Sequence, residues 1–150
     1  MALLENKVAF VSGGGSGIGR AVAEAYAREG AKVVVSDINV EHGEETVNNI
    51  KNSGGEAFFV KGDSSSSLDN KHMVEVAVSK YGQLDIACNN AGMGGPAKPT
   101  GEYDPDAWDK VIALNLNGVF YACRYQLEQM EKNGGGNIVN IASIHGQVAA

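Results

Sequence analysis

The chain alternates short apolar runs with longer segments in which apolar residues recur every three or four positions. An apolar, β-branched run with little alternation is typical of a parallel strand covered on both faces, whereas the longer spacing is typical of an amphipathic helix. Five runs predict strands at residues 8–11, 31–36, 57–60, 84–88 and 137–142. The segments between them predict four helices: one from Ile18 that stops at Gly30, and three at about 40–51, 68–81 and 105–132.

The order of these elements predicts the fold class. Strands that alternate with helices form a parallel, doubly wound α/β sheet with right-handed crossovers and helices on both faces. Ligands of such sheets bind beyond the carboxyl ends of the strands. The segments that follow strands are therefore the candidate functional residues, and the long loop at 89–105 favours a functional role over a plain connector.

The apolar positions also predict the faces of the first and last helices. In the first helix, one face carries Ile18, Ala21, Val22, Ala25 and Tyr26. In the last helix, the apolar positions are Trp108, Val111, Ile112, Val119, Phe120, Cys123, Leu127 and Met130.

A glycine-rich turn at residues 12–19 joins the first strand to the first helix. Backbone N–H groups and the dipole at the start of a helix favour a phosphate group there, and glycine permits its close approach. The pattern Gly-x-Gly-x-x-Gly does not fit, and the P-loop pattern fails because Arg20 and Ala21 replace its lysine and its Ser/Thr. The pattern that fits is Gly-x-x-x-Gly-Ile-Gly, beginning at Gly13. The alternative is a helix-entry turn that binds nothing.

Three segments together resemble one known family. The glycine pattern, Asn-Asn-Ala-Gly at 89–92 and Ser143 after the fifth strand are similar to the motifs of the short-chain dehydrogenases/reductases, which usually carry threonine in place of Ser12. The resemblance implies that residues 1–150 form a Rossmann-type, three-layer αβα domain that binds NAD. In the turn it implies cofactor contacts at Gly13, Ser16, Gly17, Ile18 and Gly19.

Asp37 ends the second predicted strand, about 20 residues after the glycine turn, where dinucleotide-binding folds place an acid. A carboxylate there accepts hydrogen bonds from the adenosine ribose and repels a 2′-phosphate. Neither Ile38 nor Asn39 supplies a cation, and Ser16 is not the Arg or Lys of many NADP-using relatives. The residues therefore predict NAD over NADP, with Asp37 and Ile38 as contacts. The alternative is an aspartate of a surface turn.

Two further strand ends carry residues that the resemblance assigns to the cofactor. Asp63 and Ser64, after the third strand, would contact the adenine ring, although Asp63 could instead cap the following helix. Asn90, Ala91 and Gly92 follow the fourth strand, and the small residues would let the backbone pass close to the cofactor.

Asn115 and Ser143 are the candidate catalytic residues by the same resemblance. Asn115 would help to hold a water molecule in a proton relay, and Ser143 would hydrogen-bond the substrate oxygen. A structural hydrogen bond is the alternative for Asn115. A hydrolase using Ser143 with His145 is disfavoured because the serine lies in no Gly-x-Ser-x-Gly elbow.

The family's general acid/base is a tyrosine in a Tyr-x-x-x-Lys motif beyond the serine, and this sequence does not contain that motif. We therefore expect the 150 residues to be the N-terminal, cofactor-binding part of an NAD-dependent oxidoreductase of secondary alcohols or ketones, inactive by itself. The alternative is a non-catalytic dinucleotide-binding or interaction module.

Composition narrows the range of partners. The net charge of −6 and the absence of a basic cluster give no support to binding of nucleic acid or an anionic membrane. No signal-peptide pattern or long apolar span occurs, no metal site is predicted, and Cys88 and Cys123 lie in apolar segments as expected of free thiols, although a disulfide stays open. We expect a cytoplasmic homo-oligomer whose small-molecule partner is an alcohol or ketone.

Overall fold

A computed structural model describes residues 2–148, which contain a five-stranded parallel sheet. Its strands are β1 (Val8–Ser12), β2 (Lys32–Asp37), β3 (Glu56–Lys61), β4 (Ile86–Asn89) and β5 (Asn137–Asn140). The spatial order is β3-β2-β1-β4-β5, so the winding reverses between β1 and β4. A crevice at the carboxyl ends of those two strands is where this topology binds ligands.

Helices cover both faces of the sheet. They are α1 (Gly17–Arg28), α2 (Val40–Asn52), α3 (Ser67–Tyr81), α4 (Pro105–Ile112) and α5 (Val119–Lys132). Helices α1 and α2 pack on one face through Ala23, Val47 and Ile50. Helices α3 and α5 pack on the other face through Met73, Ala77 and Met130. The predicted doubly wound, three-layer αβα fold is confirmed.

The alternation of side chains along each strand divides the core in two. In β1, Ala9 and Val11 point toward α1 and α2, whereas Phe10 points toward α3 and α5. All five residues of β1 are buried because the strand is central and covered on both faces. This double burial explains the near-continuous apolar run from which the strand was predicted.

The predicted apolar face of the first helix is partly wrong. Ile18 is 64% exposed and Ala21 is also exposed, whereas Gly19 and Ala23 are the buried residues of α1. The helix turns its first apolar residue away from the sheet because its N-terminus reaches past the strand ends. Ile18 therefore belongs to the open edge of the sheet and not to the core.

The single long helix predicted at 105–132 is interrupted. Residues Ala113–Gly118 form a π-helical segment between α4 and α5. Such a segment inserts a residue into the helical turn, so side chains before and after it point in directions that a regular period does not predict. Four large apolar side chains between positions 105 and 132 are exposed at the surface: Trp108, Leu116, Phe120 and Leu127.

Two strand boundaries differ from the prediction by two residues, and the others by at most one. Leu84 is fully buried, but β4 begins at Ile86 because the Asp85 carboxylate accepts the Val8 N–H at 2.8 Å and replaces a backbone partner. The fifth strand ends at Asn140, two residues earlier than predicted. The N–H of the next residue, Ile141, still donates to the Asn89 carbonyl at 3.0 Å.

The two cysteines are free and differ in accessibility, which gives a chemical test of the packing. Cys88 is buried in β4, and burial raises the pKa of its thiol, whereas Cys123 on α5 is half-buried. Because the thiolate is the reactive species, we expect Cys123 to react first with a disulfide reagent at pH 8, and Cys88 only on unfolding. The Cys123→Ser variant should lose the fast phase, and two fast phases in the native protein would contradict this arrangement.

Candidate functional site

The glycine-rich turn between β1 and α1 lies at the reversal point of the sheet. Gly13 and Gly17 have φ angles of +61° and +52°, which side chains rarely adopt. Gly19 faces back onto the turn: an added Cβ would overlap the Gly13 carbonyl oxygen and lie 2.5 Å from Asn90 Nδ2. Gly13 and Gly17 are therefore favoured by their left-handed backbone, whereas Gly19 is required because its neighbours leave no room for a Cβ atom.

Hydrogen bonds fix the middle of the turn against β2 and α2. The Gly14 N–H donates to the Ser36 carbonyl at 2.9 Å, and Thr46 Oγ1 donates to the Gly14 carbonyl at 2.9 Å. The Gly15 carbonyl accepts from Arg20 Nη2 at 2.7 Å. These hydrogen bonds join the turn to β2, α1 and α2 and restrict its conformation.

The start of α1 is left open for an anion. Ser16 is the N-cap residue, but its side chain makes no capping hydrogen bond. The first N–H groups of a helix have no partner within the helix, and their positive dipole end attracts negative charge. The arrangement fits a phosphate group, as the glycine spacing predicts.

Asp37 connects the glycine turn to the start of α2. Its Oδ2 accepts the Gly15 N–H and its Oδ1 accepts the Asn39 N–H, both at 2.9 Å. Each carboxylate oxygen can accept a further hydrogen bond. The carboxylate is thus oriented by two backbone donors while it keeps capacity for ligand hydroxyl groups.

Asp63 belongs to the turn after β3 and does not cap α3. The N-cap residue is Ser66, whose side chain accepts the Asp69 N–H at 3.2 Å. Asp63 Oδ1 accepts from the N–H and the hydroxyl of Ser65 at 2.8 and 2.7 Å. The Asp63 N–H in turn donates to Asp69 Oδ2, a bond that lowers the pKa of Asp69. The capping alternative for Asp63 is therefore wrong.

The segment after β4 is tied directly to the glycine turn. The Ser12 hydroxyl accepts the N–H groups of Asn90 and Ala91, each at 3.1 Å. Asn90 Nδ2 donates to the carbonyls of Ser12 and Gly13 at 3.1 and 3.2 Å. Ser12 thus uses a hydroxyl group, the feature it shares with threonine, to join β1 to the Asn-Asn-Ala-Gly segment.

A buried pair of side-chain amides joins the end of β4 to α5. Asn89 and Gln126 exchange two side-chain hydrogen bonds at 3.0 and 2.7 Å, and Asn89 also donates to Asn140 Oδ1 at 2.9 Å. Gln126 is fully buried on α5. Sequence reasoning missed it, although a polar residue between apolar neighbours in a helix was a usable signal.

Asn115 lies in the π-helical segment and binds the loop that follows β4. Its Oδ1 accepts the Met93 N–H at 3.0 Å and its Nδ2 donates to the Met93 carbonyl at 2.8 Å. The structural hydrogen bond considered as the alternative is therefore present. The proton-relay role remains a prediction.

Ser143 follows β5 and begins a short 3₁₀ turn, Ile144–Gly146. Its Oγ accepts the backbone N–H of His145 at 3.2 Å. Within residues 2–148 no hydrogen bond joins the His145 ring to Ser143, so the serine–histidine contact that a hydrolase requires is not formed there.

The predicted cofactor residues surround one cavity of about 410 Å³ at the carboxyl edge of the sheet. Its predicted lining residues are Gly13, Ser16, Gly17, Ile18, Asp37, Ile38, Asp63, Ser64, Asn90, Ala91 and Gly92. Gly62 and Leu114 also line it and were not predicted. Gly19 lies behind the turn, and neither Asn115 nor Ser143 reaches the lining. A larger surface depression, of about 590 Å³, lies at the C-terminal ends of α1 and α2, and none of the predicted cofactor residues lines it.

The described part of the chain shows neither a metal-ligand cluster nor a membrane-spanning helix. Over residues 2–148, no three His, Cys, Asp or Glu side chains are grouped as metal ligands would be. None of the helices in that range has the length and apolar character needed to cross a membrane.

Comparison with known proteins agrees with this geometry. The family model described as short chain dehydrogenase matches residues 7–150. Cyclohexanol dehydrogenase of Acinetobacter sp. (strain SE19) is 45% identical over 143 residues, which cover 95% of this chain and 57% of that protein. The 3beta-hydroxysteroid dehydrogenase of Mediterraneibacter gnavus (strain ATCC 29149 / DSM 114966 / JCM 6515 / VPI C7-9) is 41% identical over 97% of this chain and 52% of its own length.

Solved structures show the same similarity. Levodione reductase superposes with a TM-score of 0.95 at 32% identity, covering 98% of this chain and 58% of that one. NAD+-bound xylitol dehydrogenase also superposes with a TM-score of 0.95, at 31% identity, covering 99% of this chain and 57% of that one. The chain thus spans somewhat more than half the length of these proteins. With its fold, glycine turn and matched segments, it belongs to the short-chain dehydrogenase family.

Proposed function

We propose that this chain, as a domain comprising residues 1–150, binds NAD and belongs to an oxidoreductase that interconverts secondary alcohols and ketones. The observation that carries the proposal is the single cavity lined by eleven of the twelve predicted cofactor residues. The cavity lies at the reversal point of strand order, where doubly wound sheets bind dinucleotides.

The residues present fit a dinucleotide. A side chain at position 19 would overlap the turn, and the open N-terminus of α1 suits the pyrophosphate. Asp37, held by two backbone donors, suits the adenosine ribose hydroxyl groups. Asp63 and Ser64 would face adenine, whereas Asn90, Ala91 and Gly92 would line the nicotinamide side.

The preference for NAD over NADP follows from charge. The Asp37 carboxylate would repel a 2′-phosphate, and among residues 2–148 no Lys or Arg lines the cavity. The guanidinium of Arg20, in the first turn of α1, donates to the Gly15 carbonyl and to Glu45, each at 2.7 Å. A 2′-phosphate would therefore meet an uncompensated negative charge.

NAD supplies hydride transfer when it is bound. In this chain Ser143 would orient the substrate oxygen, since its hydroxyl keeps a proton to donate while it accepts the His145 N–H. Asn115 would support proton transfer, and its paired contact with Met93 would hold the loop after β4 in place. The relatives named for cyclohexanol and hydroxysteroids act on secondary alcohols, which supports the substrate class.

The experiment is a titration of the purified protein with NADH, followed by fluorescence, and an assay for NAD-dependent oxidation of cyclohexanol. Binding of NADH is expected, with NADPH weaker. Failure to bind either nucleotide would overturn the proposal. Because this sequence contains no Tyr-x-x-x-Lys motif, we expect binding without turnover. Turnover of cyclohexanol by these 150 residues would exclude the non-catalytic module and would also show that the missing pair is not required.

The proposal includes a cytoplasmic homo-oligomer. The two free thiols are typical of a reducing compartment. Trp108, Leu116 and Phe120 are 57, 61 and 63% exposed on one continuous helical element, and large exposed apolar patches mark protein interfaces.

Phe120→Glu is expected to shift the protein toward the monomer, because a buried carboxylate would oppose association. Sedimentation velocity measures the change. Leu3→Glu, which alters an even more exposed apolar residue near the N-terminus, should leave the oligomer intact. A monomeric wild-type protein, or an unchanged distribution in Phe120→Glu, would contradict this interface.

A further inference from the structure

We infer that Asn70 and Gly118 are positioning residues that hold the Asp63–Ser64 turn and thereby set the recognition of adenine. The inference rests on the proposed function, because it concerns the adenosine end of the same cavity. Neither residue lines that cavity. Both act on one atom, the carbonyl oxygen of Ser64: Asn70 donates a hydrogen bond to it, and a side chain at position 118 would collide with it.

Asn70 holds this carbonyl from α3. The residue is 3% exposed, and its Nδ2 donates to the Ser64 carbonyl at 2.9 Å and to the Ser66 carbonyl at 2.8 Å. Both amide hydrogens are therefore used on the backbone of one turn. A buried amide in this arrangement fixes the path of the chain between β3 and α3 because leaving these carbonyls unpaired is unfavourable.

Gly118 closes the opposite side of the same carbonyl. It is buried at the end of the π-helical segment, and an added Cβ would lie 2.5 Å from the Ser64 oxygen and 3.2 Å from the Ser64 carbon. These neighbours are backbone atoms, so they cannot rotate away as a side chain would. Any side chain at position 118 must displace the Ser64 turn or the helix.

The clamped turn presents Asp63 to the cavity in a defined orientation. Asp63 Oδ1 is engaged by Ser65, while no donor within residues 2–148 engages Oδ2. An oriented carboxylate oxygen accepts a hydrogen bond from an amino group such as the 6-amino group of adenine. A shift of the turn would lose this contact without altering the phosphate or ribose sites, which belong to other elements.

The test compares NADH with reduced nicotinamide hypoxanthine dinucleotide, in which a carbonyl oxygen replaces the 6-amino group. We expect wild-type protein to bind NADH at least about tenfold more tightly, the value of one hydrogen bond to a charged group. In Gly118→Ala and in Asn70→Ala the dissociation constant of the hypoxanthine dinucleotide, divided by that of NADH, should fall to about 1–2 because the Asp63 carboxylate moves away from the adenine site. Two variants on different elements keep the test possible if one of them fails to fold.

Gly136→Ala is the matched control. Its added Cβ would also be crowded, 2.5 Å from Met130 Cγ and 2.9 Å from the Asp85 carbonyl, but it precedes β5 at the other edge of the sheet. It should lower thermal stability and keep the wild-type ratio. An unchanged ratio in folded Gly118→Ala or Asn70→Ala, with both ligands weakened equally, would overturn the inference alone. Absence of NADH binding by the wild-type protein would overturn the proposed function and the inference with it.

Discussion

Replacing Gly19 by alanine is expected to abolish NADH binding within the measurable range, a loss of at least about 100-fold. The added Cβ would overlap the carbonyl of Gly13, which belongs to the glycine-rich turn, and would lie 2.5 Å from Asn90 Nδ2, which donates a hydrogen bond to that carbonyl. The turn must open to make room, so hydrogen bonds to the phosphates would be lost at about 1.5–3 kcal/mol each. Overpacking should also lower the free energy of unfolding by about 1–3 kcal/mol.

A titration of NADH fluorescence measures the affinity, and chemical denaturation measures the stability. Gly43→Ala is the matched control because Gly43 is another buried helical glycine, whose added Cβ would overlap the Phe59 ring on β3. It should lose stability but retain NADH binding. Equal affinity in Gly19→Ala and wild type would show that the turn does not contact the cofactor.

Asp37→Asn is expected to weaken NADH by about 10–100-fold and to lower the preference for NADH over NADPH by about 100-fold. The amide has one acceptor oxygen, whereas Asp37 now accepts from both Gly15 and Asn39. One of these N–H groups would face the new NH₂ group. The charge that repels a 2′-phosphate would be gone as well.

Dissociation constants for NADH and NADPH, measured at one ionic strength, give the ratio. Asp109→Asn removes the same charge from an exposed position on α4 and should leave the ratio unchanged. If Asp37→Asn keeps the wild-type ratio, the aspartate has only the structural role that its two backbone hydrogen bonds describe.

Much of the fold could be predicted because its signals are local. Strand β1 could be predicted because it is buried on both faces and is therefore apolar throughout. The glycine-rich turn could be predicted because the positive φ angles at positions 13 and 17 favour glycine. The cavity around Asp37 and Asp63 followed from the rule that strand ends of a parallel sheet share one edge.

The remaining features depend on contacts that no local pattern encodes. Ile18 has the right helical spacing for a core residue, yet it is exposed because α1 begins beyond the sheet. The π-helical segment places Leu114 on the cavity, Asn115 on Met93 and Gly118 on Ser64, all through tertiary contacts. Gln126 pairs with a residue 37 positions earlier in the chain.

The central place of β1 has a consequence for the order of folding during synthesis. β1 pairs with β2 on one side, where Val8 faces Lys32, and with β4 on the other, where Ala9 faces Ile86. The first three strands can therefore assemble on the ribosome while the second edge of β1 still awaits its partner. Because docking of β4 closes the longer loop, we expect it to be the slow step, and the part of the crevice around Asp37 and Asp63 to exist before the part around Asn90.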